Sequence, residues 1–170
     1  DAFETGPSLR RVVRANCDIT ENEVVGQSTV EQYQLFADYV ASRHDGGEMA
    51  GMSYGDYTAM VQDSPLKTFI AEYRVAGGRL AAGCLVDQLG DGLSAVYSFF
   101  DPAESRRSLG SYMIMRLIER CRELRLPYLY LGYWIGGSQK MAYKARFRPL
   151  EGLGAEGWKQ INLPKTAPQD

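Results

Sequence analysis

Residues 93–124 read LSAVYSFFDPAESRRSLGSYMIMRLIERCREL, and the fold depends on how this stretch divides. Positions 93–100 are dominated by apolar and aromatic residues bounded by turn signals, which predicts a strand. Asp101-Pro102 breaks it, since proline supplies no amide for a ladder and aspartate favours turns. From 108 to 124 the apolar residues Leu109, Met113, Leu117, Cys121 and Leu124 recur on one helical face, with Arg116, Arg120 and Glu123 on the remainder. A strand therefore delivers the chain through a short polar turn into a long amphipathic helix.

Working outward, the stretches 68–75 and 80–89 flank Gly77-Gly78, a hairpin signal, and Gly90-Asp91-Gly92 supplies the next turn before 93–100. This predicts a three-stranded antiparallel meander. Upstream, Ser28-Thr29 offers an N-cap with Glu31 in the first turn. Val30, Tyr33, Phe36, Ala37 and Val40 follow at helical spacing until Gly46-Gly47. A shorter helix is expected over 54–62, starting near Ser53. Downstream, Pro127 ends the long helix, 128–135 reads as another strand, and Ser138 is placed to cap a short basic helix through about Arg146. There is no internal repeat and no low-complexity stretch.

Composition agrees with one domain: 170 residues, 45% hydrophobic and 24% charged. No run approaches the apolar length of a membrane helix, and the first residues lack a signal-peptide layout, so a soluble cytoplasmic protein with no membrane partner is expected. Cys17, Cys84 and Cys121 are odd in number and widely spaced, which supports neither a disulfide framework nor a metal site. His44 is the single histidine, so histidine-activated nucleophiles have one residue to draw on.

The net charge of −2 hides an asymmetry. Residues 1–103 carry seven basic and fifteen acidic side chains, whereas 104–150 carry ten and three. Lys140, Lys144, Arg146 and Arg148 run without an intervening acid, Arg106 and Arg107 open the basic segment, and Arg10, Arg11 and Arg14 form a smaller cluster. Such a face suits a polyanion. It also suits a helix surface paired with nearby acids.

The order of elements is similar to the acyltransferase fold of the GNAT N-acetyltransferases. That resemblance implies an α+β class: a mixed, mostly antiparallel sheet flanked by helices. It also implies that amides at the start of the long helix hold a polar acyl donor. The acetyltransferase signature of Arg, two residues, Gly, one residue and a small residue is met by Arg107 and Gly110. It fails at Tyr112, where a bulky ring replaces the small residue. This weakens coenzyme A as the ligand.

A more specific resemblance lies in SFFDP at 98–102, RSLG at 107–110, PYLYLGYWI at 127–135, SQKMAYKARFRPLE at 138–151 and RRVVRAN at 10–16. These runs resemble the carboxy-terminal half of the aminoacyl-tRNA–protein transferases, closest to the bacterial aspartate/glutamate leucyltransferases and related to the arginyltransferases. Residues 1–170 are accordingly expected to form a single GNAT-like aminoacyltransferase domain. The family's amino-terminal, cysteine-bearing region has no counterpart in these residues.

The resemblance implies transfer of an amino acid, leucine by likeness, from aminoacyl-tRNA to the N-terminal Asp or Glu of an acceptor protein, marking it for degradation in the N-degron pathway. Aminoacyl-tRNA is then a co-substrate, and no separate cofactor or metal is expected. The donor ester is already activated, and an α-amine has a pKa of about 7.7–8.0, so orientation and oxyanion stabilisation suffice without a histidine.

In this reading the backbone near Gly110 faces the donor. Asp101 either accepts or orients the ammonium proton, or simply caps the Pro102 turn. Ser138, Lys140 and Tyr143 contribute to the site or the tRNA end. Arg146, Arg107 or Arg11 pairs with the acceptor's acidic side chain, and the sequence does not choose among them. Tyr54, Asp56 and Tyr57 line an amino-acid pocket or pack as a short helix. Arg10, Arg11, Arg14, Arg106, Lys140, Lys144 and Arg148 are expected on tRNA phosphates. Tyr128, Tyr130 and Trp134 are candidates for stacking on its terminal adenine. A coenzyme A-dependent N-acetyltransferase of the same fold and a non-catalytic RNA-binding module are the alternatives.

Overall fold

The computed structural model describes residues 3–43, 48–135 and 139–161. His44 and the Gly46-Gly47 stop therefore lie outside the described residues. Contacts divide the chain into two compact units: one spans Ser8–Gly132, the other joins Asp1–Pro7 to Tyr133–Asp170.

In the larger unit, helix α1 (Pro7–Ala15) and strand β1 (Thr20–Val25) precede helices α2 (Val30–Arg43) and α3 (Tyr54–Gln62). Strands β2 (Lys67–Arg74), β3 (Leu80–Gln88) and β4 (Gly92–Phe100) follow, then a 3-10 turn (Pro102–Arg107), helix α4 (Leu109–Glu123) and strand β5 (Tyr128–Tyr130). The sheet order is β1-β2-β3-β4-β5, antiparallel throughout except for the parallel β4–β5 pair. This is the expected α+β arrangement.

Helix α2 starts where its cap chemistry dictates. Thr29 Oγ1 accepts from the Gln32 amide at 3.1 Å, and Gln32 Oε1 accepts from the Thr29 amide at 2.9 Å. Each side chain satisfies an orphan donor of the other's backbone. Ser28, the other candidate cap, bonds instead to Thr58 Oγ1 at 2.9 Å and so ties α2 to α3. Helix α3 opens on a second capping box, between Ser53 and Asp56. Gly77 and Gly78 both adopt positive φ, 92° and 85°, as the β2–β3 turn requires.

The sheet buries both faces. Phe69, Ala71, Tyr73, Cys84 and Val86 pack with Val12, Leu109, Met113, Leu117 and Cys121 on one side; Ile70, Leu85 and Phe99 pack with Phe36, Val40, Tyr57 and Val61 on the other. An irregularity in β4 redistributes its side chains between these layers. Leu85 pairs with Tyr97 but Val86 pairs with Ala95, which leaves Val96 as an extra residue. Leu93 and Ala95 therefore pack in the α4 layer, whereas Tyr97 and Phe99 pack under α2 and α3. Gly83 is needed opposite Phe99, because a Cβ there would lie 2.5 Å from the ring.

Several features differ from the sequence expectation. Helix α1 and strand β1 were not readable as periodic elements. The strand expected over 128–135 is only Tyr128–Tyr130, since Gly132 adopts φ 71° and breaks the extended backbone. The basic helix is a 3-10 segment (Gln139–Arg146), and its expected cap, Ser138, lies outside the described residues.

In the smaller unit, Phe3 stacks near Phe147 with centroids 6.3 Å apart, and Ala145 and Phe147 are buried. A hairpin of β6 (Glu151–Gly154) and β7 (Gly157–Gln160) follows. Among the described residues no helix is long and apolar enough to cross a membrane.

Candidate functional site at the end of β4

Strand β5 pairs with β4 only at Gly92–Ser94, so from Ala95 onward β4 has no strand on that side among the described residues. Gly92 permits the close pairing that does occur: a Cβ there would lie 2.6 Å from the Tyr128 carbonyl. Beyond Phe100 the chain enters the polar turn and then α4. One edge of β4, the turn and the first turn of the helix are thus brought to one place.

Alternating charges hold the turn. Asp101 Oδ1 accepts from the Ala103 amide at 2.9 Å, and Oδ2 accepts from Arg79 at 2.5 Å. Arg79 also donates to Glu104 at 2.6 Å, and Glu104 accepts from Arg107 Nε at 2.9 Å. Arg107 then makes a two-pronged contact with Asp18, at 2.7 and 3.1 Å. This contact, more than any other influence, holds the Asp18 carboxyl below its ordinary range. Asn16, fully buried, donates to the Val12 and Arg107 carbonyls at 2.8 and 2.9 Å and so fastens the end of α1 to the turn.

Helix α4 starts with Ser108 in the left-handed region (φ 53°, ψ 46°), and the Ser108 side chain makes no capping hydrogen bond. The first-turn amides thus lack that internal acceptor at the positive end of the helix dipole. Gly110 lies beside Phe100: a Cβ there would sit 3.6 Å from Cε1 of that ring. Tyr112, the bulky residue in the signature's small position, turns away from the turn. Its ring is buried edge-on to Tyr73 and its hydroxyl reaches Glu21 at 3.4 Å.

The larger unit therefore places Asp101, Arg106, Arg107 and Gly110 on one short stretch, with α1 fastened beside it. Arg10, Arg11, Arg14 and Arg106 are exposed. Tyr57 is fully buried against Phe36 and Phe99, where desolvation pushes its hydroxyl's ionisation up, and that hydroxyl has no hydrogen-bond partner among the described residues. Tyr54 packs on Tyr33, and Asp56 is spent on the α3 cap. Tyr128 and Tyr130 share one face of β5 with centroids 6.1 Å apart.

Tyr143, Lys144, Arg146, Arg148 and Trp134 belong to the smaller unit. There Lys144 donates to the Tyr133 carbonyl at 2.9 Å, and burial lowers its pKa; Arg148 donates to the Ala145 carbonyl at 3.2 Å. Ser138 and the side chain of Lys140 lie outside the described residues. Sequence reading missed Asn16, Asp18, Arg79 and Glu104, which build the turn from positions far apart in the chain.

A family model described as arginine-tRNA-protein transferase, C terminus, matches residues 31–154. The aspartate/glutamate leucyltransferase of Paramagnetospirillum magneticum is 51% identical over 161 residues, which is 95% of this chain and 66% of the relative. That of Parvibaculum lavamentivorans is 51% identical over 157 residues, 92% of this chain and 65% of the relative. The chain thus spans just under two thirds of these relatives' length.

Among solved structures, L-PGS from Bacillus licheniformis superposes with a TM-score of 0.59 at 15% identity, covering 86% of this chain and 48% of that one. An aminoglycoside acetyltransferase from an uncultured soil metagenomic sample gives 0.54 at 13% identity, covering 74% and 86%. These two likenesses concern the fold alone, which is acetyltransferase-like. With the family's match covering most of its length, the chain belongs to the carboxy-terminal domain family of the arginine-tRNA–protein transferases.

Proposed function

We propose that the protein transfers an amino acid, leucine by its relatives, from aminoacyl-tRNA to the N-terminal Asp or Glu of acceptor proteins. In this reading residues 1–170 act as one aminoacyltransferase domain in the cytoplasm, and aminoacyl-tRNA is the co-substrate. The observation that carries the proposal is the opening where β4 loses β5 and runs, through a turn fixed by alternating charges, into an α4 terminus not capped by its own Ser108. Amides at such a terminus favour the developing oxyanion of an attacked ester.

The neutral amine forms the C–N bond to the ester carbonyl carbon, the bond from that carbon to the tRNA 3′ oxygen breaks, the nitrogen gives up its surplus proton to solvent or to a carboxylate, and the 3′ oxygen takes up a proton from the same source to leave as a hydroxyl. Asp101 is the proposed carboxylate, and Arg79 bonded to its Oδ2 fixes its direction. Gly110 keeps the helix terminus open to the donor. Arg107 acts by holding the turn, because its donors are directed at Asp18 and Glu104. Tyr57 acts as a buried support for the amino-acid pocket, and Tyr143 and Arg146 are further proposed substrate contacts. Phosphate contacts fall to Arg10, Arg11, Arg14, Arg106, Lys140, Lys144 and Arg148, and Trp134 stacks on a base.

The test is mass spectrometry of peptides beginning with Asp, Glu or Ala after incubation with the protein and a mixed pool of charged tRNAs. The expected product is the acidic peptides lengthened by one leucine. No lengthened acidic peptide at low salt, or equal lengthening of the Ala peptide, overturns the proposal.

A further inference from the structure

Resting on that reading, we infer that Asn16 is a positioning residue for transfer: its side-chain amide holds the Arg107 carbonyl so that the start of α4 presents its amides to the donor ester. Asn16 ends the RRVVRAN run, one residue beyond α1. Its side chain is fully buried, and Nδ2 donates to the Val12 carbonyl at 2.8 Å and to the Arg107 carbonyl at 2.9 Å. Its Oδ1 is buried without a hydrogen-bond partner among the described residues. The opposite amide orientation would set that oxygen against two carbonyls, so the donors must face this way. The chain thus tolerates an orphaned acceptor and keeps both donors in place.

The carbonyl that Asn16 holds belongs to the peptide entering Ser108. In a trans peptide the N–H points opposite to the C=O, so a fixed Arg107 oxygen turns the Ser108 amide away from Asn16. With α4 packed against the sheet, the plane of that peptide also sets the φ of Ser108. Ser108 stands at φ 53° and ψ 46°, where a Cβ is crowded and a non-glycine residue stays only if its surroundings impose it. The Ser108 carbonyl accepts from the Ser111 and Tyr112 amides at 3.0 Å each, and the Leu109 and Gly110 amides have no acceptor among the described residues. Asp18 and Glu104 reach the Arg107 guanidinium, whereas Asn16 grips its backbone. Releasing that carbonyl frees Ser108 to leave the left-handed region, and the first amides of α4 then lose the direction in which they meet the ester.

The experiment is a double-mutant cycle of N16A and S108G, read as transfer kinetics on a peptide beginning with Asp. Glycine occupies the left-handed region without steric cost, so S108G keeps the turn when the Asn16 donors are gone. N16A alone should lower kcat about tenfold or more while the aminoacyl-tRNA KM changes by less than about twofold. In the S108G background the same substitution should lower kcat by less than about threefold, although it still lowers the melting temperature through the lost Val12 and Arg107 bonds. N16S, which retains one donor, should fall between the parent and N16A in the same cycle. A crystal structure of N16A should show Ser108 outside the left-handed region. An equal loss of kcat in both backgrounds, a loss confined to KM, or Ser108 still left-handed in N16A overturns the positioning role and leaves the transfer reading standing; Asn16 then only fastens α1. No lengthened peptide from the unaltered protein overturns the transfer reading and, with it, the role that rests on it.

Discussion

Glu104 carries two arginines on one carboxylate, Arg79 through Oε1 and Arg107 through Oε2, and through them joins Asp101 to Asp18. Its partners are partly solvated, so the pairs are screened and each contributes little alone. As a network they fix the turn, and E104Q should lower stability by about 1 kcal/mol while reducing transfer more than that loss explains. Denaturant midpoints beside transfer rates check this. Equal rates in a measurably looser protein would show the network to be irrelevant to the site.

Gly110 separates fold from function still more sharply. The space beside it accepts a methyl at ordinary contact, and alanine favours a helix by up to about 1 kcal/mol over glycine. G110A should therefore melt no lower than the parent and yet transfer about tenfold more slowly, if the backbone there approaches the donor. An unimpaired rate sinks that role.

Asp18 supplies a pH test at the same scale. Its carboxyl is lowered from an ordinary value of 3.8, chiefly by the Arg107 hydrogen bond. A carboxyl lowered by folding contributes stability that is complete above its unfolded value and is lost as pH falls through the folded one. D18N should be weaker than the parent at about pH 7, and the gap should narrow below the ordinary value. Urea midpoints at the two extremes decide it, and a constant gap is the contrary outcome. The sequence reading singles out Gly110, but the roles of Glu104 and Asp18 were not legible in it. Arg107 could be read as a signature residue, but its partner Asp18 lies 89 positions away, beyond any local spacing rule.

The long elements were legible because burial imposed a period on them. Every fourth residue of α4 from Leu109 to Cys121 is buried, and the α2 and α3 starts are written in Thr29 and Ser53. Strand β1, TENEVV, carries no apolar alternation. It forms because it pairs with β2 and its Glu21 and Glu23 meet Arg116 and Arg120 on α4. Such reasons are tertiary and leave no local trace. The β4 irregularity is likewise invisible in AVYSFF, yet it decides which layer each ring enters. Deleting Val96 would make Ala95 and Tyr97 consecutive, and consecutive residues of a regular strand face opposite sides, so Tyr97 and Phe99 would keep the layer in which Phe36 packs against them. The deletion variant should thus still melt cooperatively, as should V96T, which keeps the residue count at a half-exposed position. Loss of the cooperative transition on deletion alone would mean that the extra residue is itself needed to shape the strand.

At the scale of the whole chain, part of the charge imbalance between 1–103 and 104–150 resolves into internal pairing. Arg107 meets Asp18, Arg116 meets Glu21 and Arg120 meets Glu23, each joining the basic segment to the acidic one. That part of the sequence argument for a polyanion surface is thus an argument about folding, and composition cannot separate the two. Arg11, Arg14 and Arg106 are exposed, and no ion pair holds them among the described residues. Asn16 fastens their two segments together beside the start of α4. They are cations this unit can offer to phosphates without breaking its own structure. Neutralising one phosphate changes the slope of log affinity against log salt by about one. Replacing Arg11, Arg14 and Arg106 together by Gln should therefore flatten the slope for the proposed tRNA donor by about 2–3 while leaving the melting temperature in place. R116Q, removed from an internal pair, should do the reverse: the slope is kept and the protein melts lower. The comparison is binding of one tRNA across a salt series with both variants, and a triple variant whose slope matches the parent would move the phosphate surface off this face.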